Sequence, residues 1–155
     1  MRILSERRYR VNAAPLEVWE ALARVDEYPA WWPWLRRFDA GTLAAGEWWR
    51  ATIRPPLPYR LRFRVQLVAV EAPRLVSARV WGDLLGRAAL SLLAADGGAS
   101  TDIVIASALE AHSLAARTGA RAMPGVARRG HNHVLDAGAA QFAAAHGWHL
   151  GARVP

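Results

Sequence analysis

The chain has 155 residues, of which 53% are hydrophobic, and this suffices for one domain with a buried core. No apolar run reaches the ~18 residues that a membrane span needs, and the N-terminus lacks the apolar stretch of a secretory signal. Without cysteine, disulfides and thiolate metal sites are excluded. We therefore expect a single cytoplasmic domain over residues 1–155, with no cofactor and no metal.

The basic residues are all arginine, and the formal net charge is +7. Net positive charge can attract nucleic acid or anionic surfaces. The arginines are spread along the chain, however, and no run is longer than two. This spacing favours a solvated arginine-rich surface over a nucleic-acid groove, and an interaction module for an acidic partner is the alternative.

The first elements are a strand, Ile3 to Val11, and a helix that begins near Pro15 and ends near Arg24. A second short helix is predicted over Asp26 to Trp31, and Pro33 ends it. Three of the eight tryptophans follow closely, at Trp31, Trp32 and Trp34. Such a cluster closes a core edge or lines a pocket, because an indole is large and its N–H needs a partner.

A series of strands comes next. Tyr59 to Glu71 is the clearest, since its odd positions from Tyr59 to Ala69 are apolar and its even positions include three arginines. That alternation predicts one buried and one wet face. The other predicted strands are Phe38–Leu43, Gly46–Arg54, Leu75–Trp81, Leu84–Ala94 and Ala99–Ala111.

The strand Leu75 to Trp81 has two alternative faces. If Ser77, Arg79 and Trp81 point inward, Arg79 becomes a buried anchor for a polar ligand group. If Val76, Ala78 and Val80 point inward, Arg79 is exposed, and this second pattern is the more apolar.

The last element is a long helix from about Pro124 to Ala145. Leu135 and Phe142 lie one above the other, and His131, Asn132 and Gly138 fall close to the same line, whereas His133 points away. The plan is therefore α+β, with a curved antiparallel sheet of about six or seven strands and one long C-terminal helix across it. The two layers diverge toward one end, where either bulky side chains or a cavity fills the space.

Several segments resemble the START/Bet v 1-like (SRPBCC) superfamily, in particular its polyketide cyclase/dehydrase-like branch. They are Ala14-Pro15-Leu16-Glu17-Val18-Trp19, Tyr28-Pro29-Ala30-Trp31-Trp32-Pro33, Pro58-Tyr59-Arg60-Leu61-Arg62-Phe63, Val80-Trp81-Gly82-Asp83 and His131-Asn132-His133-Val134-Leu135-Asp136-Ala137-Gly138. The resemblance implies a helix-grip fold with two short helices after the first strand. It also implies a cavity for a small hydrophobic or aromatic molecule.

His131 is the candidate catalytic residue, because an imidazole facing the sheet can exchange protons near neutral pH. The alternative is a structural histidine bonded to a neighbouring group. Asn132 either holds a ligand oxygen or makes a polar helix contact. The other candidate ligand-binding residues are Trp32, Trp34, Tyr59, Phe63, Arg79, Trp81, Leu135 and Phe142.

Two functions follow from these expectations. One is binding of a small hydrophobic or aromatic molecule, and the other is a polyketide cyclase or dehydratase with His131 as acid/base. The sequence shows no pair of carboxylates and no metal-ligand cluster that would support another chemistry. The protein is expected to be a monomer or a homodimer.

Overall fold

The structure is a computed structural model and describes residues 2–54, 60–122 and 124–151. Its seven strands form one antiparallel sheet in the order β1-β7-β6-β5-β4-β3-β2. They are β1 Arg2–Val11, β2 Leu35–Asp39, β3 Trp48–Ile53, β4 Leu61–Glu71, β5 Leu75–Gly82, β6 Leu84–Ala95 and β7 Ser100–Ala111. The predicted antiparallel sheet is confirmed, although β2 begins and ends earlier than the predicted Phe38–Leu43.

Four helices accompany the sheet: α1 Pro15–Ala23, α2 Tyr28–Trp31, α3 Leu114–Ala122 and α4 Pro124–Ala145. The curved sheet wraps around the long α4, which confirms the predicted helix-grip fold with two short helices after the first strand. Among the helices of the described residues, none combines the length and the hydrophobicity that crossing a bilayer requires.

Helix α3 was not predicted. Ser113 nonetheless marks its start in the sequence. The Oγ atom of Ser113 accepts a hydrogen bond from the backbone N–H of Ala116 at 3.2 Å. This is the geometry of an N-cap residue. Ala116 and Ala120 are buried on one side of the helix, whereas Arg117 and Arg121 are exposed, so the segment is clearly amphipathic.

The alternation of β4 is confirmed for Leu61, Phe63, Val65 and Leu67, which share the inner face of the sheet. The register with β5 then shifts between Leu67 and Ala69. Such a bulge moves the following side chains to the opposite faces. Val70 therefore packs against the core and pairs with Val76, and Ala69, which the strict alternation placed inside, lies on the outer face.

The strand β5 presents Val76, Ala78 and Val80 to the inner face. Val80 is 6% exposed and pairs with the inner residue Val65. Arg79 and Trp81 consequently lie on the outer face, on the side of the sheet away from α4. The prediction that they line the cavity is wrong, because the more apolar set of this strand fills the core.

The core lies between the inner face of the sheet and helices α1, α2 and α4. Its buried members are Tyr9, Val11, Ala13, Val18, Trp19, Ala21, Leu22, Val25, Tyr28, Trp31, Leu35, Ala51, Leu92, Ile103, Phe142 and Ala143. On the outer face, Asp102 is 6% exposed because Arg10 covers it with two hydrogen bonds, at 2.7 and 3.1 Å.

Candidate functional site

A small space remains between α4 and the centre of the sheet, with a volume of about 170 Å³. Leu90 of β6 and Ile103 and Ile105 of β7 form its floor. Helix α4 forms the roof with Val134, Leu135, Gly138, Ala139 and Phe142, and Leu22, Trp32 and Trp34 close the side. Among the described residues, no charged side chain and no hydroxyl group lines this space, which we call the inner cavity.

The two indoles at the side of the inner cavity are held by α4. The Nε1–H group of Trp32 donates to the carbonyl oxygen of Gly138 at 2.9 Å, and that of Trp34 donates to Oε1 of Gln141 at 2.9 Å. Their rings stack on each other with centroids 5.5 Å apart. Because both N–H groups donate to α4, these two residues present aromatic carbon atoms and no free hydrogen-bond donor to the cavity.

Gly138 lets α4 approach this aromatic wall. A Cβ atom at this position would meet Cζ2 of Trp34 at 3.4 Å and Nε1 of Trp32 at 3.7 Å. The first distance is a close van der Waals contact, so any side chain larger than a methyl group would push the tryptophans away or enter the cavity. The glycine therefore sets both the helix–tryptophan distance and the room inside.

His131 lies one helical turn before Leu135 on the same face of α4, next to the inner cavity. Its Nε2 atom is 3.2 Å from the Oγ atom of Ser107, which follows Ile105 on the inner face of β7. Burial lowers the pKa of His131, and the positive charge of Arg7 lowers it further. The imidazole is therefore neutral at neutral pH, with its Nε2 atom held by a hydroxyl group.

A polar group that the sequence did not predict, formed by Arg7, Tyr9 and Asp136, lies beside His131. Arg7 of β1 points inward and places Nη2 3.3 Å from Oδ2 of Asp136, whose Oδ1 atom accepts a 2.6 Å hydrogen bond from the hydroxyl of Tyr9. Within the described residues, the buried Nε atom of Arg7 has no hydrogen-bond acceptor. The sequence indicates this orientation, because residues two apart on a strand share a face and Arg7 is therefore on the same face as the core residues Tyr9 and Val11.

Only some of the predicted site residues come together here. Trp32, Trp34, Leu135 and Phe142 line the inner cavity, whereas His131 is not part of the lining and lies one helical turn before Leu135. Asn132 turns toward β1, where its Oδ1 atom accepts a 3.4 Å hydrogen bond from Ser5.

The remaining predicted residues lie elsewhere. Phe63 packs against the core without lining the inner cavity, because its strand is two places from the cavity floor in the sheet. Arg79 and Trp81 are on the outer face, and Tyr59 lies outside the described residues. Among the described residues, no three histidine, aspartate or glutamate side chains converge as metal ligands would.

Sequence comparison gives one family. The profile of the family described as polyketide cyclase / dehydrase and lipid transport matches residues 2–147, which is nearly the whole chain. Among curated protein sequences, no match was found.

Solved structures resemble the fold at low sequence identity. The Zhui aromatase/cyclase from Streptomyces sp. R1128 superposes with a TM-score of 0.67 at 16% identity, over 91% of this chain and 88% of that one. Norcoclaurine synthase from Thalictrum flavum, in complex with dopamine and hydroxybenzaldehyde, gives 0.62 at 12% identity, over 89% and 84%. A protein from Thermus thermophilus, TTHA0849, gives 0.66 at 11%, over 94% and 99%.

Proposed function

The chain belongs to the polyketide cyclase/dehydrase and lipid transport family, within the START/Bet v 1-like superfamily, and on this premise we propose that it binds a small aromatic molecule in the inner cavity. The observation that carries the proposal is the wholly apolar lining of a space that two indoles, the sheet and α4 leave unfilled. Apolar cavities stay dry and gain favourable contacts when an apolar molecule enters them.

The size of the inner cavity supports a ligand with one aromatic ring. Its volume is about 170 Å³, and cavities of roughly 150 Å³ lined by aliphatic and aromatic side chains hold benzene. A similar structure, norcoclaurine synthase, is described with dopamine and hydroxybenzaldehyde, which each contain one ring. A long polyketide chain would require α4 to move away from the sheet.

The polar groups next to the inner cavity define one end of the ligand. His131 lies one helical turn from Leu135 of the apolar lining, and its Nε2 atom is 3.2 Å from the Oγ atom of Ser107. A hydroxyl or carbonyl oxygen on the ring would find hydrogen-bond partners at this end. We therefore expect a phenol or an aryl ketone to bind more tightly than benzene itself.

The experiment is a thermal-shift titration with phenol and benzene on matched variants of α4. Ala139→Leu places a larger side chain in the inner cavity, whereas Ala140→Leu makes the same change at a neighbouring exposed position. Phenol should raise the Tm of the wild type and of Ala140→Leu, and it should leave the Tm of Ala139→Leu unchanged. Equal shifts in both variants would show that phenol binds elsewhere.

A second candidate function is catalytic, with His131 as acid/base. It is favoured by the lowered pKa of His131, which keeps the imidazole neutral one helical turn from Leu135 of the cavity lining. Acetophenone is a suitable probe, because its methyl protons can be removed next to the carbonyl group. His131 would take one proton to form the enolate, and a deuteron from D2O would replace it.

The two functions separate in one comparison of the wild type with His131→Ala. If His131 acts as a base, the wild type accelerates deuterium uptake by acetophenone, and the variant binds acetophenone without accelerating it. If both proteins bind the probe and neither accelerates uptake above the buffer rate, the chain is a binding protein and the catalytic candidate is rejected.

A further inference from the structure

The outer face of the sheet gathers arginines that are far apart in the sequence. Strand pairing places side chains of β2 to β6 in three rows, each with two arginines. The rows are Arg37–Thr52–Arg62, then Asp39–Arg50–Arg64–Trp81, then Trp48–Gln66–Arg79–Arg87. Successive rows are roughly 7 Å apart along the strands. We call this surface the outer arginine face.

Among the described residues, the guanidinium groups of these arginines form no ion pair with a carboxylate. All six are exposed. The carboxylates at the margin of this surface are Asp83, which accepts a 2.8 Å hydrogen bond from the backbone N–H of Arg62, and Glu110, which lines the same depression as Arg79 and Arg87. Asp39 is the one carboxylate in the three rows. The outer arginine face is therefore a region of concentrated positive charge.

In two places, two arginines stand directly opposite each other on neighbouring strands. Arg50 stands opposite Arg64, and Arg79 stands opposite Arg87. Like charges directly across neighbouring strands destabilise a sheet. A polyanion bound along the rows would replace this repulsion with charge-assisted hydrogen bonds, which the planar guanidinium group forms well with phosphate.

Two tryptophans lie within the same rows. Trp48 is 48% exposed, its ring centroid is 5.1 Å from that of Trp81, and the Cζ atom of Arg64 lies 5.7 Å from its ring. An exposed indole beside guanidinium groups offers a ring for a base to stack on. An acidic protein segment would use the arginines but would leave this aromatic surface without a specific role.

We propose that the outer arginine face binds single-stranded nucleic acid, with phosphates on the paired arginines and a base against Trp48 and Trp81. This combination of a positive antiparallel sheet face and exposed aromatic side chains is one way in which proteins hold single strands. The site is on the opposite side of the sheet from the inner cavity, so it is independent of the proposed ligand.

The test measures binding of an end-labelled oligouridylate of roughly ten nucleotides by fluorescence anisotropy. The double variant Arg50→Gln/Arg64→Gln removes one like-charge pair and should fold at least as well as the wild type. Arg117→Gln/Arg121→Gln removes the same charge from exposed positions of α3. The first variant should bind the oligonucleotide about tenfold more weakly, and the slope of its log affinity against log salt concentration should fall by about two. The second variant should keep nearly the affinity of the wild type.

Stacking is tested with Trp48→Leu and with inorganic polyphosphate as a competitor. The substitution should weaken oligouridylate binding roughly tenfold and leave polyphosphate binding unchanged. In NMR spectra of the wild type, the indole N–H resonances of Trp48 and Trp81 should shift when the oligonucleotide is added. Equal losses in the two double variants, or binding of polyphosphate or polyglutamate as tight as that of the oligonucleotide, would overturn the proposal.

Discussion

The Nε2 atom of His131 lies 3.2 Å from the Oγ atom of Ser107, so that α4 and β7 are joined by a polar contact next to an apolar cavity. The histidine is half-buried, and Arg7 contributes a positive charge nearby. The contact joins the helix to the sheet, while burial and the charge of Arg7 lower the pKa of His131 and favour the uncharged imidazole.

The lowered pKa of His131 predicts a specific pH dependence of stability. The unfolded chain takes up a proton near the ordinary histidine pKa of 6.5, but the folded protein does so only at lower pH. The contribution of His131 is therefore complete above the ordinary value, and it is lost as the pH falls toward the lowered folded value. Urea unfolding should show this loss in the wild type and a flatter profile in His131→Gln.

The control for this measurement is His133→Gln, because His133 is exposed on the opposite face of α4. This variant should keep the wild-type dependence on pH. A wild-type profile identical to that of His131→Gln would contradict the burial of an uncharged imidazole.

Gly138→Ala should raise stability and weaken ligand binding together. Alanine is favoured over glycine in a helix interior by about 1 kcal/mol. The new methyl group would stand 3.4 Å from Cζ2 of Trp34 and take room from the inner cavity. We expect a gain of up to about 1 kcal/mol in the free energy of unfolding and a lower affinity for phenol in the same protein.

Gly125→Ala is the matched control, because a Cβ atom at Gly125 would meet no heavy atom within 4 Å. It adds the same methyl group in the first turn of α4 and should leave the affinity for phenol unchanged. If both variants bind phenol as tightly as the wild type, Gly138 does not border the ligand.

The pair of Arg10 and Asp102 predicts acid sensitivity on the outer face. Hydrogen bonding to Arg10 lowers the pKa of Asp102 below its ordinary value, against the opposing effect of burial. The stabilisation is present above the ordinary aspartate pKa and is lost as the pH falls through the lowered folded value. Asp102→Asn should be less stable than the wild type at neutral pH, and the difference should shrink in acid.

Asp26→Asn is the reference for this comparison, since Asp26 is exposed in the short turn before α2. Its free energy of unfolding should match that of the wild type at neutral pH. An Asp102→Asn protein as stable as Asp26→Asn would mean that the ion pair contributes nothing.

Hydrophobic period and proline positions were enough to predict the sheet, the long helix and four of the residues that line the inner cavity. These signals are local, since each strand face and helix face is recorded within a few neighbouring residues. Strand β5 illustrates this, because its more apolar set, which includes Val80, faces the core.

The features that were missed depend on pairing between distant strands. The bulge after Leu67 cannot be seen in an alternating sequence, and it moves Ala69 to the outer face. Arg50 and Arg64 belong to consecutive strands and become neighbours only through the register of β3 and β4. The spread of the arginines predicts a solvated surface, but Arg7 lies on the inner face of β1 and forms an ion pair with Asp136 of α4.

Binding of an aromatic ring in the inner cavity is tested by a crystal structure of the protein grown with 4-bromophenol, whose bromine atom gives an anomalous signal. We expect a bromine peak inside the inner cavity, between Ile105 and Leu135, with the phenolic oxygen toward His131. The same experiment with Ala139→Leu should show no peak there. An unoccupied cavity in the wild type, with bromine found only on the protein surface, would contradict the claim that this space binds an aromatic ring.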